Sequence, residues 1–80
     1  MLRNPFSDET MIPQKQFENG HAEILLYVTR GVLVSVLFDG FLPAGDHETS
    51  LNAENLTPGI YSCRFISNSA TESISMQIIR

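Results

Sequence analysis

Glycine and proline interrupt the apolar stretches of this 80-residue chain at short intervals, and this spacing constrains its fold more than any other feature. Turn signals that recur about every 8–12 residues are typical of all-β sandwiches and barrels. The one helical candidate, residues 52–56, is a single turn that stops at Pro58. The sequence therefore predicts an all-β fold. The turn signals are Asn19-Gly20, Gly31, Asp39-Gly40, Pro43-Ala44-Gly45 and Pro58-Gly59.

Short segments between these turns have the composition of strands. Residues 22–28 and 32–38 are rich in Val, Leu, Ile and Tyr, which suit a half-buried sheet. Period-two alternation predicts further strands at 48–53, 60–66 and 73–80. Residues 10–17 contain Pro13, which cannot donate to a ladder, and are predicted to form an edge strand. We expect Tyr61, Cys63 and Phe65 on the core face of their strand. In the last strand, Ile74, Met76 and Ile78 alternate with Ser75, Gln77 and Ile79.

Charge and length exclude several classes of function. The chain has 5 Lys and Arg against 9 Asp and Glu, a net charge of −4. Nucleic-acid binding needs clustered basic residues, and these are scattered, so no nucleic-acid partner is expected. Apolar residues at 42% and charged residues at 18% indicate a folded domain. We expect a single domain over residues 1–80, in which residues 1–9 form an N-terminal lead-in segment. A domain of this size has little room for a catalytic cleft.

The single cysteine and the short apolar segments exclude further kinds of structural feature. The single cysteine, Cys63, excludes an internal disulfide and a Cys-rich zinc site, and we expect it to be a buried apolar residue. No apolar run approaches the ~18 residues that span a bilayer as a helix. The first nine residues lack the apolar core of a secretory signal, so another segment would have to direct any export. The sequence leaves open an excised domain and a stand-alone copy.

The segment Leu56-Thr57-Pro58-Gly59-Ile60-Tyr61-Ser62-Cys63 is the sharpest local motif. A Pro-Gly turn followed by Tyr at the start of a strand matches the tyrosine corner of immunoglobulin-like sandwiches, in which the phenol bonds to backbone upstream. We therefore assign structural roles to Pro58, Gly59, Tyr61 and Cys63.

Residues that could support catalysis or bind metal do not form a recognisable pattern. His21 and His47 lie next to turns and are interpreted as solvated loop residues rather than ligands or bases. Asp39, Asp46 and Glu48 could gather around Ca²⁺, but their spacing fits no known loop. No Ser-His-Asp order or phosphate loop is present. We predict no enzymatic activity, cofactor, metal or small-molecule substrate.

Several short motifs follow one another along the chain: Asn4-Pro5-Phe6, Gly31, Gly45 with His47, Gly59-Ile60-Tyr61, and Ile78-Ile79-Arg80. Their order resembles the C-terminal sorting domain of the bacterial type IX secretion system, type A. A related immunoglobulin-like domain of flagellar hook-capping proteins shares much of the pattern. The first strand departs from the family, because Gln14 and Gln16 follow Ile12 where the family alternates apolar residues.

The resemblance implies an immunoglobulin-like or fibronectin-III-like antiparallel β-sandwich of about seven strands. It further implies a non-enzymatic secretion signal at the end of an exported cargo, recognised by outer-membrane secretion machinery. The cargo would pass through the periplasm to the outer membrane, the cell surface or the medium. We expect the terminal residues Ile78-Ile79-Arg80 to be only partly buried, so that their deletion abolishes export while leaving the fold mostly intact.

A stand-alone immunoglobulin-like interaction or adhesion module is the alternative, because one fold hosts many functions. The predicted edge strand and the Gly40-Phe41-Leu42-Pro43 loop favour this interaction module. Its partner could be a second copy of the chain, in a weak homodimer. Phe41 could form part of a contact patch, although we expect it to fold back over the core.

Overall fold

The computed structural model describes residues 9–54, 56–68 and 70–79, and it contains six β-strands. No helix long and apolar enough to cross a membrane occurs in these ranges. The all-β prediction is confirmed. The strands are β1 (Glu9–Gln16), β2 (Gly20–Val28), β3 (Leu33–Leu42), β4 (Gly45–Asn52), β5 (Gly59–Ser67) and β6 (Thr71–Ile78).

The expected count of about seven strands is wrong for the described part of the chain, which has six. Each connection is too short for another strand, and the longest, residues 53–58, contains a turn closed by the Leu56 amide donating to the Ala53 carbonyl. The predicted turn at Asp39-Gly40 is also wrong. Both residues lie inside β3, opposite Glu23 and Ala22 of β2, because cross-strand pairing overrides their local turn preference.

The strands form two antiparallel sheets. One sheet has two strands, β1 and β4, and the other has four, in the order β3-β2-β5-β6. Pro13 lies in β1, whose one described neighbour is β4, so the predicted edge strand is confirmed. In the larger sheet, the edge strands of the described chain are β3 and β6.

The inner faces of the two sheets share one hydrophobic core, which gives the molecule a sandwich-like character. Alternate residues point inward along β2, β5 and β6. The inward face predicted for β5, with Tyr61, Cys63 and Phe65, is confirmed. The expected burial of Cys63 is confirmed. The buried apolar residues are Ile12, Ala22, Ile24, Leu26, Leu51, Ala53, Tyr61, Cys63, Phe65, Met76 and Ile78.

Two glutamines follow Ile12 on the inner face of β1. Gln16 is 2% exposed, and Gln14 is half-buried. The Gln14 amide nitrogen donates to Thr49 Oγ1 at 2.7 Å, and that of Gln16 donates to the Gly20 carbonyl at 3.4 Å. Among the described residues, neither glutamine Oε1 has a hydrogen-bond donor. The strand thus keeps its inward alternation although two of its inward side chains are polar.

Candidate functional site

The β5–β6 ladder brings together two motifs that are far apart in the sequence. Gly59 lies opposite Ile78, and Ile60 lies opposite Gln77. The Pro-Gly-Ile-Tyr motif therefore adjoins the C-terminal motif at one end of the four-stranded sheet. We call this region the motif end, defined as residues 58–61 together with 77–79.

Tyr61 holds the turn that enters the motif end. Its ring is buried, and its hydroxyl donates to the Thr57 carbonyl at 2.6 Å, with Thr57 Oγ1 3.2 Å away. The predicted bond to upstream backbone is therefore present, and the structure places its acceptor four residues before Tyr61. Gly59 has φ of 153°, and a Cβ built there would meet no atom within 4 Å, so backbone conformation rather than space favours glycine.

A second turn borders the motif end. Thr29 and Arg30, which follow β2, line a groove of about 300 Å³ together with residues 57–61. The Gly31 amide donates to the Val28 carbonyl at 2.9 Å, and Gly31 has φ of 88°, which suits a residue without Cβ. The Gly31 motif position therefore belongs to the β2–β3 turn beside this groove.

The two C-terminal isoleucines of the motif have different environments. Ile78 is 1% exposed and belongs to the core, whereas Ile79 is 45% exposed. The expectation that the whole Ile78-Ile79-Arg80 end is partly buried is wrong for Ile78, because it pairs with Gly59 and points between the sheets. Arg80 lies outside the described residues, as do Asn4, Pro5 and Phe6.

Gly45 and His47 lie away from the motif end. Both belong to β4 in the smaller sheet, opposite Gln16 and Gln14 of β1. The Ala44 amide donates to Asn19 Oδ1 at 2.7 Å, which joins the turns at this opposite end of the molecule. The structure therefore does not gather all the motif residues into one surface.

The histidines are strand residues, not loop residues as the sequence suggested. His47 Nε2 lies 2.7 Å from the Pro43 carbonyl oxygen, and His21 Nε2 lies 2.8 Å from Asp39 Oδ1. Antiparallel pairing with neighbouring strands places both histidines within strands. The turn signals beside them in the sequence led to the wrong interpretation.

A shallow groove of about 720 Å³ near His47 is lined by residues of β1 and β4 and by Glu72 of β6. Three carboxylates and one ammonium line it, which makes it acidic. Asp46 and Glu48 line the groove, but Asp39 lies on β3 in the other sheet, so the calcium cluster considered above does not form. The charged lining residues are Lys15, Asp46, Glu48 and Glu72.

The edge strand β3 exposes apolar side chains over most of its length. Phe41 is 65% exposed, so the expectation that it folds back over the core is wrong. It lies opposite His21 on the outward face of the sheet, within β3 rather than in a loop. On the same outward face, the Arg64 guanidinium lies 4.9 Å from the centre of the Tyr27 ring. The exposed apolar residues at or beside β3 are Val32, Leu33, Val34, Val36 and Phe41.

No family model, no curated protein and no solved structure matches the chain.

Proposed function

We propose that this chain is an immunoglobulin-like C-terminal sorting domain, a non-enzymatic signal that the outer-membrane machinery of the bacterial type IX secretion system recognises. The domain directs an attached cargo from the periplasm to the outer membrane, the cell surface or the medium. Its partners are proteins of that machinery rather than nucleic acids or small substrates.

The observation that carries this proposal is the pairing of Gly59 and Ile60 with Ile78 and Gln77. Two motifs that define the resemblance, separated by more than a dozen residues in sequence, therefore lie side by side at one end of the sheet. A receptor that binds this end can read the Pro-Gly-Ile-Tyr turn and the departing C-terminus together. The exposed side chain of Ile79 offers it an apolar contact.

Strand addition gives a physical means of recognition. β6 is an edge strand of the described sheet, so one row of its backbone groups faces away from β5. Extended partners commonly bind such edges through main-chain hydrogen bonds, with side-chain pockets supplying specificity. The outer edge of β6 leads directly to Ile79, so a partner strand could engage the edge and the terminal residues at once.

A reporter carrying a signal peptide and fused to residues 1–80 tests the proposal in a bacterium that has type IX secretion. We expect the reporter outside the cell or on its surface. Retention in the periplasm would overturn the proposal. A fusion that ends at residue 78 keeps the buried Ile78 while removing Ile79 and Arg80, and it should remain in the periplasm although it folds.

Substitutions of two exposed apolar residues test whether export depends on the motif end or on any exposed apolar side chain. Ile79→Ser lies at the motif end, and Val36→Ser lies on the opposite edge strand with comparable exposure. We expect only Ile79→Ser to reduce export. Equal loss in both variants would contradict a specific role for the motif end.

A self-associating interaction module is the second candidate, favoured by the exposed apolar edge β3. Long apolar edge strands are templates for pairing with another chain. Size-exclusion chromatography with light scattering on the purified chain distinguishes the two. A strictly monomeric species removes the self-association candidate and leaves the sorting proposal unaffected.

A further inference from the structure

Three potential metal ligands converge on the outward face of β2 and β3, away from the motif end. They are His21 and Glu23 of β2 and Asp39 of β3. We propose that these residues form a binding site for a first-row divalent transition-metal ion, with Zn²⁺ the best match. This inference is independent of the sorting function, because none of the three residues belongs to the sorting motifs.

The ladder register places the three side chains on one face. Glu23 lies directly opposite Asp39, and His21 precedes Glu23 by two residues. Their neighbours Ala22 and Ile24 point into the core, so His21 and Glu23 point outward. Ligands carried by paired strands are held more precisely than ligands on loops, because ladder hydrogen bonds hold the backbone.

The donor atoms are close enough to share one ion. One ligand atom from each residue lies within 4.8 Å of the other two, and His21 Nε2 is 2.8 Å from Asp39 Oδ1. Bonds of about 2.0–2.2 Å in tetrahedral geometry place donors roughly 3.3–3.6 Å apart. Binding therefore requires the contact between the exposed His21 and Asp39 side chains to open slightly and the half-buried Glu23 carboxylate to approach by side-chain rotation.

Electrostatic repulsion within the ladder favours a cation. Like charges directly opposite each other in an antiparallel pair are destabilising, and Glu23 faces Asp39 in this way. In the described part of the chain, no Lys or Arg forms an ion pair with either carboxylate. Arg64, on the neighbouring strand β5, lies over the Tyr27 ring instead. A divalent ion would offset both negative charges at once.

The donor set selects the class of metal. One imidazole nitrogen with two carboxylate oxygens suits Zn²⁺ and related ions, whereas Ca²⁺ takes six to eight oxygen ligands. The side chains of His21 and Asp39 are 57% and 54% exposed, which leaves at least one coordination position for water or a ligand from a partner. The resulting site has three protein ligands and an open position.

Titration of the purified, untagged 80-residue chain with Zn²⁺ by calorimetry tests the site. We expect one ion per chain, and His21→Ala and Asp39→Asn should each weaken binding about tenfold or more, since each removes one of three ligands. His47→Ala is the matched control, because the chain has two histidines and His47 lies on the other sheet. It should leave the affinity unchanged.

Two spectroscopic measurements locate the ion. Co²⁺ should give visible d–d bands without thiolate charge transfer, which separates this site from binding at Cys63. In ¹H–¹⁵N spectra, Zn²⁺ should shift the amide signals near residues 21, 23 and 39. Absence of binding, unchanged affinity in a folded His21→Ala chain, or equal loss in His47→Ala would each overturn the proposal.

Discussion

Gly59 lies directly opposite Ile78 in the antiparallel β5–β6 ladder. A glycine with positive φ thus faces one of the most completely buried residues of the core. The consequence is that the C-terminal segment is divided between two roles. Ile78 belongs to the core, whereas the exposed Ile79 beyond it is available to a partner.

This division predicts that substitutions of the two adjacent isoleucines change the free energy of unfolding by very different amounts. Ile78→Ala should lower the free energy of unfolding by about 2–5 kcal/mol, because it leaves a cavity in the core. Ile79→Ala should change it by less than about 0.5 kcal/mol, as for other surface substitutions. Urea denaturation measures both. Equal destabilisation would contradict the burial difference between the two side chains.

Tyr61→Phe should lower the free energy of unfolding by about 0.5–1.5 kcal/mol, because it removes the hydroxyl that donates to the Thr57 carbonyl. The other tyrosine of the chain, Tyr27, is half-buried on the outward face and serves as the matched control. Tyr27→Phe should be near neutral. If the two variants unfold at the same urea concentration, the Tyr61 contact does not stabilise the turn.

Gly31→Ala should destabilise the β2–β3 turn by about 1–2 kcal/mol, because an L-residue with Cβ is strained at a left-handed φ. No atom lies within 4 Å of the added Cβ, so the cost is conformational. At Gly40, φ is not positive and the added Cβ meets Phe38 at ordinary contact distance. Gly40→Ala should therefore cost less, and thermal unfolding of both variants tests this order.

Gln16→Met should stabilise the chain by about 1 kcal/mol, because it removes a buried amide whose Oε1 has no donor among the described residues. The lost bond to the Gly20 carbonyl is long, at 3.4 Å. Gln77→Met, at a less buried position, is the control and should have a smaller effect. A lower unfolding midpoint for Gln16→Met would show that the amide is required.

Val36→Lys should reduce self-association of the chain at high concentration, because a charge on an exposed edge strand opposes pairing with another edge. Light scattering across a concentration series measures the effect. The equivalent change on the other edge strand, Ser75→Lys, separates a role of β3 from a general effect of added charge. Identical association in the native chain and Val36→Lys would exclude β3 as the contact.

Local patterns were sufficient to predict much of the fold. Period-two alternation identified the inward face of β5 and the existence of β6, and Pro13 indicated an edge strand. The tyrosine corner was also predictable, because its donor and acceptor are four residues apart. These features depend on neighbours in the chain, so the sequence alone determined them.

Pairing between distant strands decided the rest. The Asp39-Gly40 turn signal was overridden by pairing with β2, and that pairing also gathers His21, Glu23 and Asp39. The burial of Ile78, the exposure of Phe41 and the inward glutamines of β1 likewise depend on which strands become neighbours and in what register. A one-residue shift in register would turn each side chain to the opposite face. Sequence alone thus determined the strands and their alternation, and only the tertiary structure decided which side chains meet, because register is set by the whole core.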